Sequence, residues 1–174
     1  MKRSLTLFSL ITLFFLFLAT GCDKPANKDK SAKAPKNSQT AKKATDFTLP
    51  YHAKAGEFKL YNAIKEKTVV LLFFSTSCPH CQEELAELKD IISNYKNLRF
   101  IAVDGGDSES SITRFFKDIG IDIECIVDNS GEVFKSYNVY GIPTTYIIGK
   151  DGNIIDNWIG KKSLEEMKSI FSKL

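Results

Sequence analysis

The chain has 174 residues, 43% of them apolar and 13 of them Phe, which is enough to bury one core and too little for two. Its formal charge is +3, yet Lys2 and Arg3 supply two positive charges and residues 23–45 five more (seven Lys against two Asp), so residues 46–174 carry −4. The basic excess therefore lies ahead of the folded part, and a mildly acidic domain argues against nucleic acid as a partner.

Lys2 and Arg3, the apolar run Leu5 to Ala19 and the small residues of A-T-G-C at 19–22 have the order of an export signal over residues 1–21. The last four resemble the lipobox of bacterial lipoproteins. That resemblance implies cleavage behind Gly21 and a diacylated Cys22 as the new N-terminus, although Ala19 stands where those proteins prefer Leu. The alternative is an uncleaved anchor, because residues 5–21 are at the short limit for crossing a bilayer. Either arrangement puts the domain outside the cytoplasm, on the periplasmic side if the cell has two membranes. Residues 22–45, the lipidated Cys and a Lys-rich tether, hold almost no large apolar side chain and are expected to stay flexible, spanning roughly 25–30 Å. Their lysines either rest on anionic headgroups or are merely solvated. Folding is expected over residues 46–174.

Within that domain, Thr68 to Ser75 is a continuous apolar, β-branched and aromatic run suited to a strand buried on both faces. Pro79 to about Tyr95 follows as a helix, with Leu85, Leu88, Ile91 and Ile92 at helical spacing and Pro79 in its first turn. A second strand over Leu98 to Val103, a Gly105-Gly106 loop, a helix over Ser110 to Ile119 and a third strand over Ile121 to Val127 come next. A short helix near Glu132 to Tyr137 precedes two strands, Thr144 to Ile148 and Ile154 to Ile159, joined as a hairpin through K-D-G-N at 150–153. Ser163 with Glu166 three residues on is a capping-box signal for a final helix. Alternating strands and helices predict an α/β fold with parallel pairing and right-handed crossovers.

Four cysteines are present. Cys22 is accounted for by lipidation, and Cys125 lies in an apolar strand, where a small buried hydrophobe is the ordinary use of the residue. The remaining pair is C-P-H-C, residues 78–81. At a helix N-terminus Cys78 meets unpaired N–H groups and the positive end of the helix dipole, which lower a thiol to roughly 3.5–7.5. His80 adds an imidazole N–H or a positive charge beside Pro79. Cys81, one turn on, is the resolving partner, so the pair itself is the redox centre and no further cofactor is expected. A static disulfide or half a zinc site are the alternatives; zinc lacks a second C-x-x-C, and no metal is expected.

The segments D-F-T-L-P at 46–50, V-V-L-L-F-F-S-T-S-C-P-H-C at 69–81 and Y-G-I-P-T-T-Y-I-I at 140–148, in that order, resemble the TlpA/ResA branch of the thioredoxin superfamily. The resemblance covers about residues 44–174. It implies a thioredoxin-like three-layer fold, a central mixed sheet with helices on both faces, and thiol-disulfide exchange on protein substrates. It makes Pro143 a cis-proline whose loop offers the Ile142 backbone to a substrate peptide. It also makes Glu84 an active-site carboxylate, able to carry a proton for Cys81; a merely solvated face of Glu83, Glu84 and Glu87 is the alternative. Thioredoxin has a buried Asp where this chain has Leu72, Ser77 replaces the common Trp, and Ala86 replaces the usual helix Pro. C-P-H-C resembles the oxidising DsbA enzymes, whereas the surrounding chain resembles reductants, some of which serve cytochrome c maturation and are fed by a membrane electron donor. The cytochrome-specific relatives carry Glu at the position of Thr144. A thiol peroxidase, suggested by D-F-T-L-P, and a Sco-like copper carrier are the rival classes.

Overall fold

The computed structural model describes residues 42–174. The signal segment, Cys22 and most of the tether lie outside the described residues. The chain begins with a two-stranded antiparallel ribbon, β1 (Thr48–Pro50) and β2 (Glu57–Lys59), and a seven-residue helix α1 (Leu60–Glu66). The main elements follow: β3 (Thr68–Phe74), α2 (Pro79–Lys89), β4 (Leu98–Asp104), α3 (Glu109–Ile119), β5 (Glu124–Val127), α4 (Glu132–Ser136), β6 (Thr144–Ile148), β7 (Ile154–Ile159) and α5 (Leu164–Phe171).

Five strands form one sheet in the order β5-β4-β3-β6-β7. β3 and β4 are parallel, as are β4 and β5, while β6 is antiparallel to both β3 and β7. The central strand β3 is T-V-V-L-L-F-F, and all of it beyond Thr68 is buried, as an apolar run without alternation requires. Its side chains alternate between two cores. Val70, Leu72 and Phe74 face α2, α3 and α5, whereas Val69, Leu71 and Phe73 face α1, α4 and the β1–β2 ribbon. The result is a mixed sheet between helical layers, the expected architecture. Phe73 packs against Phe134, Tyr137 and Tyr146, with ring centroids 5.0, 5.6 and 6.0 Å away.

Several expected boundaries differ. The helix expected to reach Tyr95 ends at Lys89, and a 3₁₀ turn over Ile92–Asn94 follows. The tighter bonds from Ile91 N to Leu88 O and from Asn94 N to Ile91 O keep Ile91 in the core while turning the chain toward β4. β5 starts at Glu124, because buried Ile121 is used under α3 as loop packing and not in strand pairing. Residues 42–45 were expected to be tether. Instead Ala44 N donates to Gly152 O at 2.9 Å, Ile154 N donates to Lys42 O at 2.8 Å, and Ala44 is buried, so the β6–β7 turn holds them. Tyr137 and Tyr61 donate their hydroxyls to Thr45 O and Ala44 O and fix the same segment.

Candidate active site

The loop Ser75–Ser77 leaves the end of β3 and is held by Asp107. Asp107 Oδ2 accepts from Thr76 N at 2.7 Å and from Ser75 Oγ at 3.0 Å. Burial pushes the Asp107 carboxyl up, but those bonds outweigh it and hold the group below its ordinary value. Asp107 is in turn placed by Asp104, fully buried at the end of β4, whose Oδ1 accepts from Gly106 N and Asp107 N at 2.8 and 2.7 Å. Burial raises Asp104 to about 6 against those two bonds.

Cys78 is the N-cap of α2 and Pro79 its first helical residue, where a missing N–H costs nothing. Cys78 Sγ accepts from Cys81 N at 3.2 Å, so a helix-terminal N–H points at this sulfur. Cys78 and Cys81 are joined as a disulfide, with Cα atoms 5.3 Å apart. Cys78 is half-buried and Cys81 wholly buried, which makes Cys78 the sulfur a partner reaches first. The Ile142 carbonyl oxygen lies 3.8 Å from Cys78 Sγ, and the Ile142–Pro143 peptide bond is cis. Thr144 Oγ1 donates to Gly141 O at 2.6 Å and Gly160 N donates to Pro143 O at 2.7 Å, bracing this loop on both sides.

Glu84 is only 1% exposed, whereas its neighbours Glu83 and Glu87 face Lys161 at 3.1 and 2.8 Å. Burial raises Glu84 to about 7, opposed by a 2.8 Å bond from Lys162 N to Oε2 and assisted by the charge of Glu87. A carboxyl in that range exchanges protons at neutral pH, and it sits one helical turn beyond Cys81. The His80 ring is exposed, with Nδ1 3.6 Å from Glu83 Oε2, and makes no hydrogen bond to either sulfur. Cys125 is buried in β5, and burial together with the Asp104 charge pushes its thiol up. Among the described residues no group of three or more His, Cys, Asp or Glu is gathered where it would hold a metal ion.

The residues singled out by sequence, Cys78, Pro79, His80, Cys81, Glu84, Ile142 and Pro143, thus meet at the start of α2 and the loop ahead of β6. Sequence reasoning missed Asp104 and Asp107. The signal was an Asp closing a buried strand with a second Asp just beyond Gly-Gly, a pattern that reads as an ordinary polar loop.

The family model described as AhpC/TSA family matches residues 40–157. The chain belongs to the AhpC/TSA family. Among curated relatives, the thiol-disulfide oxidoreductase ResA of Bacillus cereus (strain ATCC 10987 / NRS 248) is 28% identical over 177 residues, spanning 100% of this chain and 99% of its own length. Within the family the chain lies in the ResA-like branch of thiol-disulfide oxidoreductases. Solved structures share the fold. StoA from Bacillus subtilis has TM-score 0.63 at 20% identity, covering 74% of this chain and 96% of its own. A secreted Mycobacterium tuberculosis disulfide oxidoreductase homologous to E. coli DsbE has TM-score 0.65 at 21% identity, covering 74% and 96%.

Proposed function

We propose that this AhpC/TSA-family oxidoreductase acts outside the cytoplasm, tethered to the membrane through a lipidated Cys22, and reduces disulfides in client proteins. The observation that carries the redox assignment is the Cys78 sulfur at the N-cap of α2, receiving the Cys81 N–H at 3.2 Å and lying 3.8 Å from the Ile142 carbonyl oxygen. In the reduced form the Cys78 thiolate attacks a client disulfide. One client sulfur leaves and a Cys78–client mixed disulfide remains. Cys81 then gives its proton to the Glu84 carboxylate and attacks Cys78 Sγ. The second client sulfur leaves as thiolate, and two electrons have passed from the enzyme pair to the client. Ile142, ahead of the cis-proline, offers its backbone to the client strand.

The reductant direction is supported by His80 facing Glu83 and not the sulfur, since a charge paired with a carboxylate contributes less to holding Cys78 as a thiolate. A membrane protein that returns electrons to the pair follows from that direction, and cytochrome c maturation is the client pathway the ResA-like branch suggests. Replacing Cys78 by Ser abolishes exchange, and Cys81→Ala accumulates a client mixed disulfide through Cys78, read by non-reducing gels and mass spectrometry. Accumulation through Cys125 contradicts the assignment. Peroxide consumption coupled to a thiol donor, without protein disulfide reduction, sinks it in favour of a peroxidase.

A further inference from the structure

Glu83, Glu84 and Glu87 lie close together on α2, beside the chain that joins β7 to α5. Glu83 and Glu87 are four residues apart, a helical spacing at which like charges repel. Lys161 meets both, its Nζ 3.1 Å from Glu83 Oε2 and 2.8 Å from Glu87 Oε1. Among the described residues these are the only ion pairs between the 160–162 loop and α2. Glu84, between the two in sequence and buried, faces the same loop and accepts from the Lys162 N–H at 2.8 Å. Two residues earlier, Gly160 N donates to Pro143 O at 2.7 Å. Three consecutive residues therefore touch the cis-proline loop, the outer carboxylates of α2 and the buried one.

We propose that Lys161 is a positioning residue for the proton transfer between Cys81 and Glu84. It holds the 160–162 loop on α2 so that the Lys162 N–H stays on the Glu84 carboxylate, and it offsets the Glu83 and Glu87 charges that oppose ionisation of Glu84. The inference rests on the reading of Glu84 as the proton acceptor of the resolving step. In that step the proton leaves Cys81 Sγ for Glu84 as the Cys81 sulfur bonds to Cys78 Sγ, and the client sulfur departs with the electron pair of the broken bond. The proton then passes from Glu84 to the client thiolate or to solvent.

Burial opposes the ionised form of Glu84 most, the Lys162 N–H favours it, Glu87 opposes it, and the charges of Lys161 and Lys162 favour it. Lys161 thus acts twice, by its own charge and by keeping the Lys162 amide in place. The same ammonium holds Glu83 below its ordinary value. The remaining groups on this side are Cys81, next to Glu84 on α2, His80, whose Nδ1 lies 3.6 Å from Glu83 Oε2, and Glu166 of α5, whose Oε1 takes the Lys162 ammonium at 3.5 Å. Lys161 is exposed, so solvent screens its charge and the effect is modest and salt-dependent.

The test is the Glu84 side-chain carboxyl signal in ¹³C NMR, titrated in reduced wild type, Lys161→Met, Lys161→Arg and the double variant Lys161→Met with Glu87→Gln, alongside the pH profile of mixed-disulfide resolution. Met keeps the apolar stem of the side chain and removes the charge. At low salt Lys161→Met raises the Glu84 midpoint by about half a pH unit. Resolution at pH 7 then slows roughly twofold, as the ionised fraction falls from about a half to about a quarter. Lys161→Arg keeps the wild-type midpoint, adding Glu87→Gln to Lys161→Met returns the midpoint toward it, and about 0.5 M salt narrows the gap between wild type and Lys161→Met. A packing role for Lys161 predicts none of these three. An unchanged or lowered midpoint in Lys161→Met, with Glu84→Gln still flattening the pH profile, overturns the inference and leaves the Glu84 reading intact. A Glu84→Gln profile identical to wild type overturns both.

Discussion

Replacing Glu84 by Gln in the oxidised protein makes it more stable at pH 8 and nearly unchanged in stability at pH 4. The folded state raises this carboxyl from its ordinary 4.5 to about 7, chiefly through burial. Between those two values the native chain binds a proton that the unfolded chain has released, so wild-type stability falls as pH rises through this window and levels off above it. Each pH unit of the window is worth about 1.4 kcal/mol, which gives about 3 kcal/mol lost by pH 8. Gln keeps an oxygen for the Lys162 N–H, here 2.8 Å from Oε2, and carries no charge to desolvate. The difference between variant and wild type should thus grow from near zero at pH 4 to about 3 kcal/mol at pH 8, most of it between pH 5 and 7. Asp104, raised to about 6 by burial, adds its own slope to both proteins and cancels in the difference. The assay is urea denaturation across pH 4–8, comparing ΔG of unfolding with m unchanged. A pH-independent difference, or a variant less stable than wild type at pH 8, refutes the reasoning that burial governs this carboxyl.

Two other substitutions test the packing and the active-site dipeptide. Phe73→Ala removes a fully buried ring from the aromatic cluster of Phe134, Tyr137 and Tyr146 and should cost about 3–5 kcal/mol in chemical denaturation; a loss under about 1 kcal/mol means that the cluster does not hold the α4 side of the sheet. His80→Pro should make the Cys78–Cys81 couple slightly more reducing in equilibrium with glutathione, the effect being small because the ring faces Glu83 and bonds neither sulfur; an unchanged potential takes His80 out of the mechanism.

Much of the fold was visible in the sequence because the central strands are long apolar runs. β3 and β4 are flanked by the cysteine turn and by Gly105-Gly106, and α3 carries Ile112, Phe115 and Ile119 at helical spacing, so their type and order followed from periodicity. The ribbon β1–β2 left no such trace, because each strand is three residues long and buries one side chain, Leu49 or Phe58. α1 is seven residues with three buried, too short for its period to stand out. Residues 42–45 looked like tether because composition reports side chains, whereas these residues are held mainly by backbone bonds to the β6–β7 turn. At the active site the C-P-H-C spacing and the residues around Pro143 were readable as motifs. The burial of Glu84, in contrast to the exposure of Glu83, depends on where α2 lies over the sheet, and helical spacing alone left both options open. Asp104 and Asp107 act through tertiary hydrogen bonds to the Ser75–Thr76 loop, which no local pattern announces.

Disulfide exchange by this protein depends first on the acidity of one thiol. In the reduced protein, the rate of alkylation by iodoacetamide across pH 3–10, with the labelled residue identified by mass spectrometry, should report Cys78 with a midpoint within roughly 3.5–7.5. Cys125, buried and pushed up, should stay unlabelled until the chain unfolds. A Cys78 midpoint at the free-cysteine value of about 8.5 or above, or labelling that starts at Cys125, contradicts the claim that the N-terminus of α2 activates this sulfur.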